Sequence, residues 1–598
     1  MSMGICGVLG RVERADWEAI LRESTMTPGA PWKEFQAKTA PVAVGSFGDG
    51  RLVGSWEMGP DAEIVAVAAG WIEGGHSSAD LVVDAWKNQG VAGLGRLRGE
   101  FTFALWSASE RALFVACDAV GLRAPAYFWD GKTFLFSSRA VALLRKGGPA
   151  LDEGYAAHAI SGLLACRAET AAFRGIRRML AGELLKVSDR GLERLRGDRL
   201  AFGDRFPGPR DRAVQELGKR LDQAVEMRLR SDQRVCVALS GGVDSGVVAE
   251  SLLRRRGRLD GFSLLIAGAS PALRAPIAAI ERALPTLHLH PIEVSYVAPN
   301  MFDSLPVSDD AVFCGPATQQ ARLTLLRTAC DAGFEQVFDG EGSDELFDIA
   351  WRHADLLRQA AWKPALELLA RRAERRRLIS DLLASGNFGI SSRLWLERQR
   401  RACQQRRPWL ARSFWEGKAF DVAWQDTVSS WSASCVRQRL ADIVSAHARH
   451  WRTQSQLRTV AGVEGQSPFL DRRVIELAGS LPARIAMEVG HRKPLIRRLA
   501  RDRLPSLDVW RPKREPLDDW LVNQIASDDA YLRVAIDRIK ENDLLNDWID
   551  TMALATASRW CREMPGSKHA SSIVQLFGFV EWTHAVRQRC LGLRLDPS

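Results

Sequence analysis

The chain has 598 residues, enough for two or three domains with sizeable cores. Its 46% hydrophobic and 26% charged residues are ordinary for a soluble protein. No apolar run approaches the roughly 18 residues of a membrane span, and the N-terminus lacks the basic-then-apolar pattern of a signal peptide. The ten cysteines are scattered without Cys-x-x-Cys spacing, which argues against a zinc or iron–sulfur site and suits a reduced, cytoplasmic setting. The formal charge of +10 concentrates as arginine at Arg371–Arg377 and between Arg398 and Arg412. No nucleic-acid-binding module accompanies it, and an anionic nucleotide or a peptide substrate could equally use that field, so neither nucleic acid nor membrane is expected as a partner.

Up to about residue 148, short β-rich runs alternate with glycine turns, as at Arg51–Glu57, Glu63–Ala68, Phe101–Trp106 and Ala112–Ala116. Leu151–Leu164 and Arg210–Arg230 read as helices. Between them a hairpin is predicted, Glu183–Val187 to Leu192–Leu195, turning at Asp189-Arg190-Gly191. Phe262–Ile266 and Leu287–Val294 read as parallel strands separated by an Ala-rich helix around Ala275–Leu284. After residue 350 the pattern is helical to the end, with tryptophan and leucine at core spacing.

The most informative stretch is Val235-Cys-Val-Ala-Leu-Ser-Gly-Gly-Val-Asp-Ser245. An apolar run ending in a glycine turn and a polar helix start predicts a buried strand whose bare N–H groups cradle phosphate, with a carboxylate placed for magnesium. The lysine of a GxxxxGK[ST] loop is missing, so an ordinary ATPase or GTPase is a poor match. About 100 residues on, Gln336-Val-Phe-Asp-Gly-Glu-Gly-Ser-Asp-Glu-Leu-Phe347 repeats the pattern of strand, glycine turn and acidic helix start. Both turns fall on the ligand-binding edge of an α/β sheet, where Asp244 and Asp344 could share one Mg²⁺. Asp339 and Glu345 are open to a plainer reading, as caps of a surface helix. Glu464-Gly-Gln-Ser-Pro-Phe-Leu-Asp471 precedes another helix. In His491-Arg-Lys-Pro-Leu-Ile-Arg497, Lys493 and Arg497 would share a helix face; spacing alone leaves that pair a solvated surface.

Together these blocks resemble the synthetase domain of the glutamine-dependent (class B) asparagine synthetase superfamily, which also holds the β-lactam synthetases and the lasso-peptide macrolactam cyclases. The resemblance rests on SGGxDS at Ser240–Ser245, GEGSDELF at Gly340–Phe347, ExxxPFLD at Glu464–Asp471 and KxxxR at Lys493–Arg497. It rests more loosely on Leu504-Pro505, Arg511-Pro512-Lys513, Pro516 and Trp520. Gly99–Trp106, Cys117–Tyr127 and Phe136–Ala140 resemble scaffold motifs of the family's N-terminal domain. The resemblance implies an α/β protein in two parts. Residues 1–205 would form an Ntn-hydrolase-like αββα sandwich, glutaminase-like. Residues 206–598 would form a PP-loop, adenine-nucleotide α-hydrolase-like parallel-sheet domain with a large helical C-terminal part. It further implies an AMP-forming ligase using ATP and Mg²⁺. Leu239, Ser240, Gly241, Gly242, Asp244, Ser245, Ile266 and Gly340 would hold the nucleotide, Asp244 and Asp344 the metal. Lys493 would stabilise the adenylation transition state with Arg497 beside it, and Glu341 would orient or deprotonate the attacking amine.

The chain departs from the amide-donating members. Their free N-terminal cysteine supplies its own α-amine as base, whereas Cys6 here follows Met-Ser-Met-Gly-Ile, so that its nitrogen is a peptide amide. The family's NGEIYN strand reads Ala69-Gly-Trp-Ile-Glu-Gly74, with Ala69 and Trp71 at the asparagine and glutamate positions. An alanine also stands where its later aspartate is expected, in Ser78-Ala-Asp-Leu81. Such a domain is expected to be inactive scaffold, so the amine must come from elsewhere. The lasso cyclases offer that logic. An Asp or Glu side chain of a precursor core peptide is adenylated, and the peptide's own N-terminal amine closes the ring. That reading implies a leader peptidase and a leader-binding protein as partners. The alternative is an asparagine synthetase using ammonia, or glutamine after trimming to Cys6.

Overall fold

The computed structural model describes residues 4–592 except 25–31, 38–39, 48–52, 57–62, 75–77, 145–150, 164–168, 230–232, 268–270, 296–315, 350, 352, 360–361, 385–389, 433–435, 511–515 and 565–568. The expected motif residues Arg511, Pro512 and Lys513 lie outside the described residues, as do Arg51 and Glu57 at the ends of one predicted strand.

The N-terminal region builds twelve strands: β1 (Gly4–Leu9), β2 (Trp32–Gln36), β3 (Val42–Phe47), β4 (Val53–Trp56), β5 (Ile64–Ile72), β6 (Gly99–Ser107), β7 (Ala112–Cys117), β8 (Ala126–Trp129), β9 (Phe134–Ser137), β10 (Ile176–Arg178), β11 (Glu183–Ser188) and β12 (Gly191–Arg196). They form two antiparallel six-stranded sheets, ordered β10-β8-β9-β1-β3-β2 and β12-β11-β7-β6-β5-β4. The two-residue side-chain period explains the stacking. Val65, Val67 and Ala69 of β5 face Ile5, Val44 and Phe136 across the sheet–sheet core. Ile64, Ala66 and Ala68 point the other way, onto Val82 and Val83 of the Ser78–Leu94 helix. Both faces of β5 are therefore buried, so its sequence reads as a continuous apolar run rather than an alternation. The first sheet is covered by the Arg14–Ser24 helix, which packs with Cys6 and Val8. The result is the expected αββα sandwich. Neither covering helix was predicted. The hairpin was: β11 and β12 pair from Glu183↔Arg196 to Ser188↔Gly191.

The predicted Leu151–Leu164 helix is observed as Glu153–Ser161, N-capped by the Asp152 side chain. Its Tyr155 meets Trp582 of the Ala570–Gly592 helix at 6.1 Å between ring centroids, so the C-terminal helices pack directly against the N-terminal region in one core. Part of the second arginine cluster joins this packing, while Arg375–Arg377 and Arg412 stay exposed. Arg407, buried, donates to the Ile160 carbonyl at 3.0 Å, and Arg400 pairs with Asp421 at 3.1 Å. No helix among the described residues is long and apolar enough to cross a membrane.

The second region is built on β13 (Val235–Ala238), β14 (Leu259–Ile266), β15 (Leu287–Val294), β16 (Gln336–Phe338) and β17 (Glu464–Gln466), all parallel, in the order β15-β14-β13-β16-β17. The chain moves outward from β13 through β14 to β15, then returns to the other side of β13 as β16. The order reverses between β13 and β16, and a ligand crevice opens outside the strand ends at such a point. The loops after β13 and β16 are the two glycine turns singled out in the sequence. Glu464–Gln466 departs from expectation: the segment before the Arg472–Ser480 helix opens as the edge strand β17.

Candidate active site

At the end of β13 the chain turns through Ser240-Gly241-Gly242 into the Val243–Arg256 helix. Gly241 has φ +72°, and a Cβ there would lie 2.9 Å from Pro276 Cβ and 3.0 Å from its carbonyl carbon, so the turn admits only glycine. Ser240 and Ser245 bracket the turn: the Ser240 N–H donates to Ser245 Oγ at 3.3 Å, and Gly242 N–H donates to Ser240 Oγ at 3.3 Å. Leu239, expected to contact the nucleotide, is held through its main chain. Its N–H donates to the Phe262 carbonyl at 2.8 Å, its carbonyl accepts from Ser263 Oγ at 2.7 Å, and its side chain is buried in the core. Leu239 fixes where the turn begins. Ile266 closes β14 in register with Val294, at the same edge of the sheet.

Gly340 brings the second turn against the first. A Cβ at Gly340 would sit 2.8 Å from the Ser245 nitrogen and 2.9 Å from Asp244 Cβ. Across this contact Asp244 Oδ1 accepts from Ser343 Oγ at 2.7 Å, while its Oδ2 accepts from Lys493 Nζ at 2.7 Å. The same ammonium lies 2.8 Å from Asp344 Oδ1. Asp244, Asp344 and Lys493 thus meet, and one cation bridges two carboxylates from separate strand ends. Two carboxylates and one ammonium leave the cluster net negative. With hard oxygen donors from two loops beside a bare-backbone turn, the residues fit a magnesium–pyrophosphate group. The segment after Asp344 is a single π-helical turn, Glu345–Ile349, a local irregularity frequent at functional sites.

Lys493 does not share a helix face with Arg497, as the four-residue spacing suggested. It precedes the Pro494–Arg503 helix in the left-handed conformation, at φ 50° and ψ 52°. A lysine there is strained by about 1–3 kcal/mol, a cost that surrounding contacts must offset. With its side chain only 6% exposed, the ammonium is aimed back into the carboxylate pair. Arg497, expected to act beside Lys493, braces the site's backbone. It donates to the Arg492 carbonyl at 2.8 Å and to the Val509 carbonyl, bracing the loop that carries Lys493. Burial holds its pKa below the usual arginine value, against the pull of Asp244. Arg492, not singled out in the sequence, pairs with Asp348 at 2.5 Å and reaches Asp344 at 3.5 Å.

Glu341 sits deeper. Its carboxylate pairs with Arg322 at 3.0 Å and lies 3.5 Å from His450 Nε2. Burial would raise its pKa, but Arg322 and His450, with Arg458 behind, outweigh this and keep it well below the usual carboxylate range. Asp339 is bound by Arg458, from the Val436–Ala461 helix, and by Ser467 Oγ, just past β17, at 2.8 Å, and these two donors lock the second turn in place. Gly465 leaves space for Arg458, whose Cδ would lie 1.9 Å from a Cβ at that position. Arg322, His450 and Arg458 carried no local sequence signal; Gly465 is the one residue whose smallness hints at the packing.

In the N-terminal region Cys6 lies inside β1, between Gly45 of β3 and Ser137 of β9. It is fully buried, and burial pushes its thiol up to about 12, so almost none is thiolate at neutral pH. Ala69 is buried in the sheet core. Trp71, at the end of β5, lies against the Arg228 guanidinium, 5.1 Å from its ring centroid. Arg228 also pairs at 2.7 Å with Asp471, both side chains 2% exposed, and Arg473 pairs with Glu73. The space beside Trp71 and Asp118 is about 10 Å³, room for roughly one water and not for an amino-acid side chain. Cys6 is expected to resist alkylation at pH 8 in the folded chain and to react after denaturation, which peptide mapping by mass spectrometry reads. Rapid native labelling at Cys6 would contradict its burial.

Burial and the neighbouring Glu100 push the Asp118 carboxyl up to about 7. A raised carboxyl pKa means that its stabilising contribution is full at low pH and is lost as pH rises from about 3.8 to about 7. Asp118→Asn keeps the oxygen that accepts from Val120 and Gly121 N–H. It is expected to be the more stable chain at pH 8, by up to a few kcal/mol, with little difference near pH 4, as read by denaturant unfolding.

A nucleotide-type parallel sheet with paired glycine turns, behind an αββα sandwich, defines an amidotransferase-like two-part architecture. The chain belongs to the asparagine synthase family, which it matches over residues 216–579. Residues 71–196 match the glutamine amidotransferase domain. Similar proteins include "Amidase chyE" of Penicillium rubens, 28% identical over 319 residues covering 49% of this chain and 46% of that protein. "Amidase chry2" of Gibberella zeae is 26% identical over 345 residues, 53% and 50% of the two chains. "Asparagine synthetase (glutamine-hydrolyzing) 3" of Bacillus subtilis is 31% identical over 160 residues, 25% of each. The matches span about half the length of the first two relatives or less.

Proposed function

We propose that this protein is an ATP- and Mg²⁺-dependent, AMP-forming ligase that closes a macrolactam within a peptide, in the manner of the lasso cyclases. The observation that carries the reading is the contrast between the two regions. The turns bearing Asp244, Asp344 and Lys493 meet at one point, while the region that would release ammonia has a buried, protonated Cys6 and a Trp71 packed against Arg228. A chain able to activate a carboxyl group but not to make ammonia needs a substrate that brings its own amine.

The reaction would run in two steps. A carboxylate oxygen of an Asp or Glu side chain attacks the α-phosphorus of ATP and pyrophosphate leaves. The peptide's N-terminal amine then attacks the acyl carbon, AMP leaves with the electron pair of the broken C–O bond, and the amine gives up one proton. Asp244 and Asp344 would hold the magnesium ion, which neutralises charge on the pyrophosphate. The Ser240–Ser245 turn would bind the phosphates. Lys493, swinging between the carboxylates and the reacting phosphate, would stabilise charge building up in the transition state. Glu341 would orient the amine rather than deprotonate it, because a carboxylate held so far below its usual range is a weak base. A leader-cleaved core peptide as substrate, with a leader peptidase and a leader-binding protein as partners, completes the proposal.

Glu341→Gln separates the steps. Pyrophosphate exchange is expected to persist in that variant while ring closure fails; normal ring closure would remove Glu341 from the second step. The competing reading, asparagine formation from aspartate and free ammonia, uses the same first step and is favoured by the family match. Supplying aspartate with ammonium, and separately a peptide with an internal Asp or Glu, and measuring AMP release, tells the two apart.

A further inference from the structure

A group of side chains away from the nucleotide turns converges as a ligand set. Asp260 is the second residue of β14, and the parallel register sets His288 of the edge strand β15 opposite it, with Phe262 opposite His290. The two-residue strand period puts both imidazoles on one face of the sheet with the carboxylate. His290 Nε2 lies 2.7 Å and His288 Nδ1 3.1 Å from the same oxygen, Asp260 Oδ1. One donor atom from each of the three residues falls within 4.8 Å of the others. The imidazole rings cross at 74° with centroids 4.3 Å apart, so the nitrogens point inward at one place. The His290 ring lies almost parallel to the buried Phe262 ring at 4.7 Å, which fixes its plane. His288 is 75% exposed and leaves the group open to solvent.

We propose that Asp260, His288 and His290 bind one divalent transition-metal ion of the zinc class, at the edge of the sheet and apart from the magnesium site. Two imidazoles and a carboxylate suit such an ion and are a poor set for magnesium, which prefers oxygen. Zinc bonds of about 2.0–2.2 Å in a tetrahedron separate neighbouring ligand atoms by roughly 3.3 Å. The present 2.7 and 3.1 Å separations would open by about 0.6 and 0.2 Å to reach that spacing, within the reach of χ rotations. Three protein ligands leave the fourth position to water on the exposed side, and the ion would tie edge strand β15 to β14. The proposal stands whether or not the ligase reading holds.

The test is titration of the metal-free full chain with Zn²⁺, followed by calorimetry without nucleotide, in wild type, His288→Ala and His290→Ala. The expected result is a one-to-one site in the wild type that is lost in both variants, with a zinc-induced rise in Tm that disappears alongside it. His288 is exposed, so its variant is expected to fold, and pyrophosphate exchange in it should match the wild type. No stoichiometric zinc binding by the wild type would overturn the proposal and leave a hydrogen-bonded His–Asp–His group. Binding retained in both variants would overturn it equally, by placing the ion elsewhere.

Discussion

Lys493→Ala is expected to lower pyrophosphate exchange by about 10²–10³-fold, the range seen when one transition-state charge donor is removed from a desolvated site. The geometry makes the residue hard to replace. Its ammonium is buried, bonded to Asp244 and Asp344 at once, and delivered by a left-handed backbone conformation just before Pro494 opens the helix. Removing it also leaves two carboxylates facing each other without their bridging cation, so some loss of stability is expected together with the loss of rate. A Tm measurement separates the two. A folded Lys493→Ala chain with near-normal exchange would remove this lysine from the adenylation step. Lys493→Arg should rescue poorly, because a planar guanidinium does not reproduce a point charge held 2.7 and 2.8 Å from two separate oxygens.

Asp244→Asn and Asp344→Asn are expected to abolish detectable exchange at ordinary Mg²⁺ concentrations. Each keeps the side-chain shape but halves the carboxylate charge available to the metal. Asp244→Asn should be the more damaging, since Asp244 also accepts from Ser343 and lies under Gly340 where the two turns touch. If the defect is in metal binding, raising Mg²⁺ should restore part of the activity of Asp344→Asn. A variant with wild-type exchange and an unchanged Mg²⁺ dependence would show that its carboxylate does not hold the ion.

The parts of this site legible in the sequence are those coded locally. The apolar run before Ser240 marks a strand buried on both faces, and glycines at Gly241 and Gly340 mark places where backbone must pass close to other atoms. The Arg14–Ser24 and Ser78–Leu94 helices were not legible. The second carries Gly90 at φ 56°, a break inside the helix that spoils its period. The three-residue strand β17 has little strand propensity of its own and exists because β16 pairs with it. Arg322, His450 and Arg458 reach Glu341 and Asp339 from the Pro316–Asp331 and Val436–Ala461 helices, outside the glycine-turn motif, so no spacing announces them. At Arg497 the motif spacing gives no sign that the guanidinium also donates to main-chain carbonyls, because those carbonyls are placed by the fold.

The most direct test of the ligase reading follows the oxygen. A core peptide whose Asp or Glu side-chain carboxyl carries heavy oxygen is incubated with the protein, ATP and Mg²⁺, and both products are weighed by mass spectrometry. Cyclisation through an adenylate predicts a peptide lighter by one water and AMP carrying one heavy oxygen, with no requirement for ammonia, aspartate or glutamine. Unlabelled AMP with an unchanged peptide, together with AMP released only when aspartate and ammonium are supplied, would contradict it and assign the chain to asparagine formation.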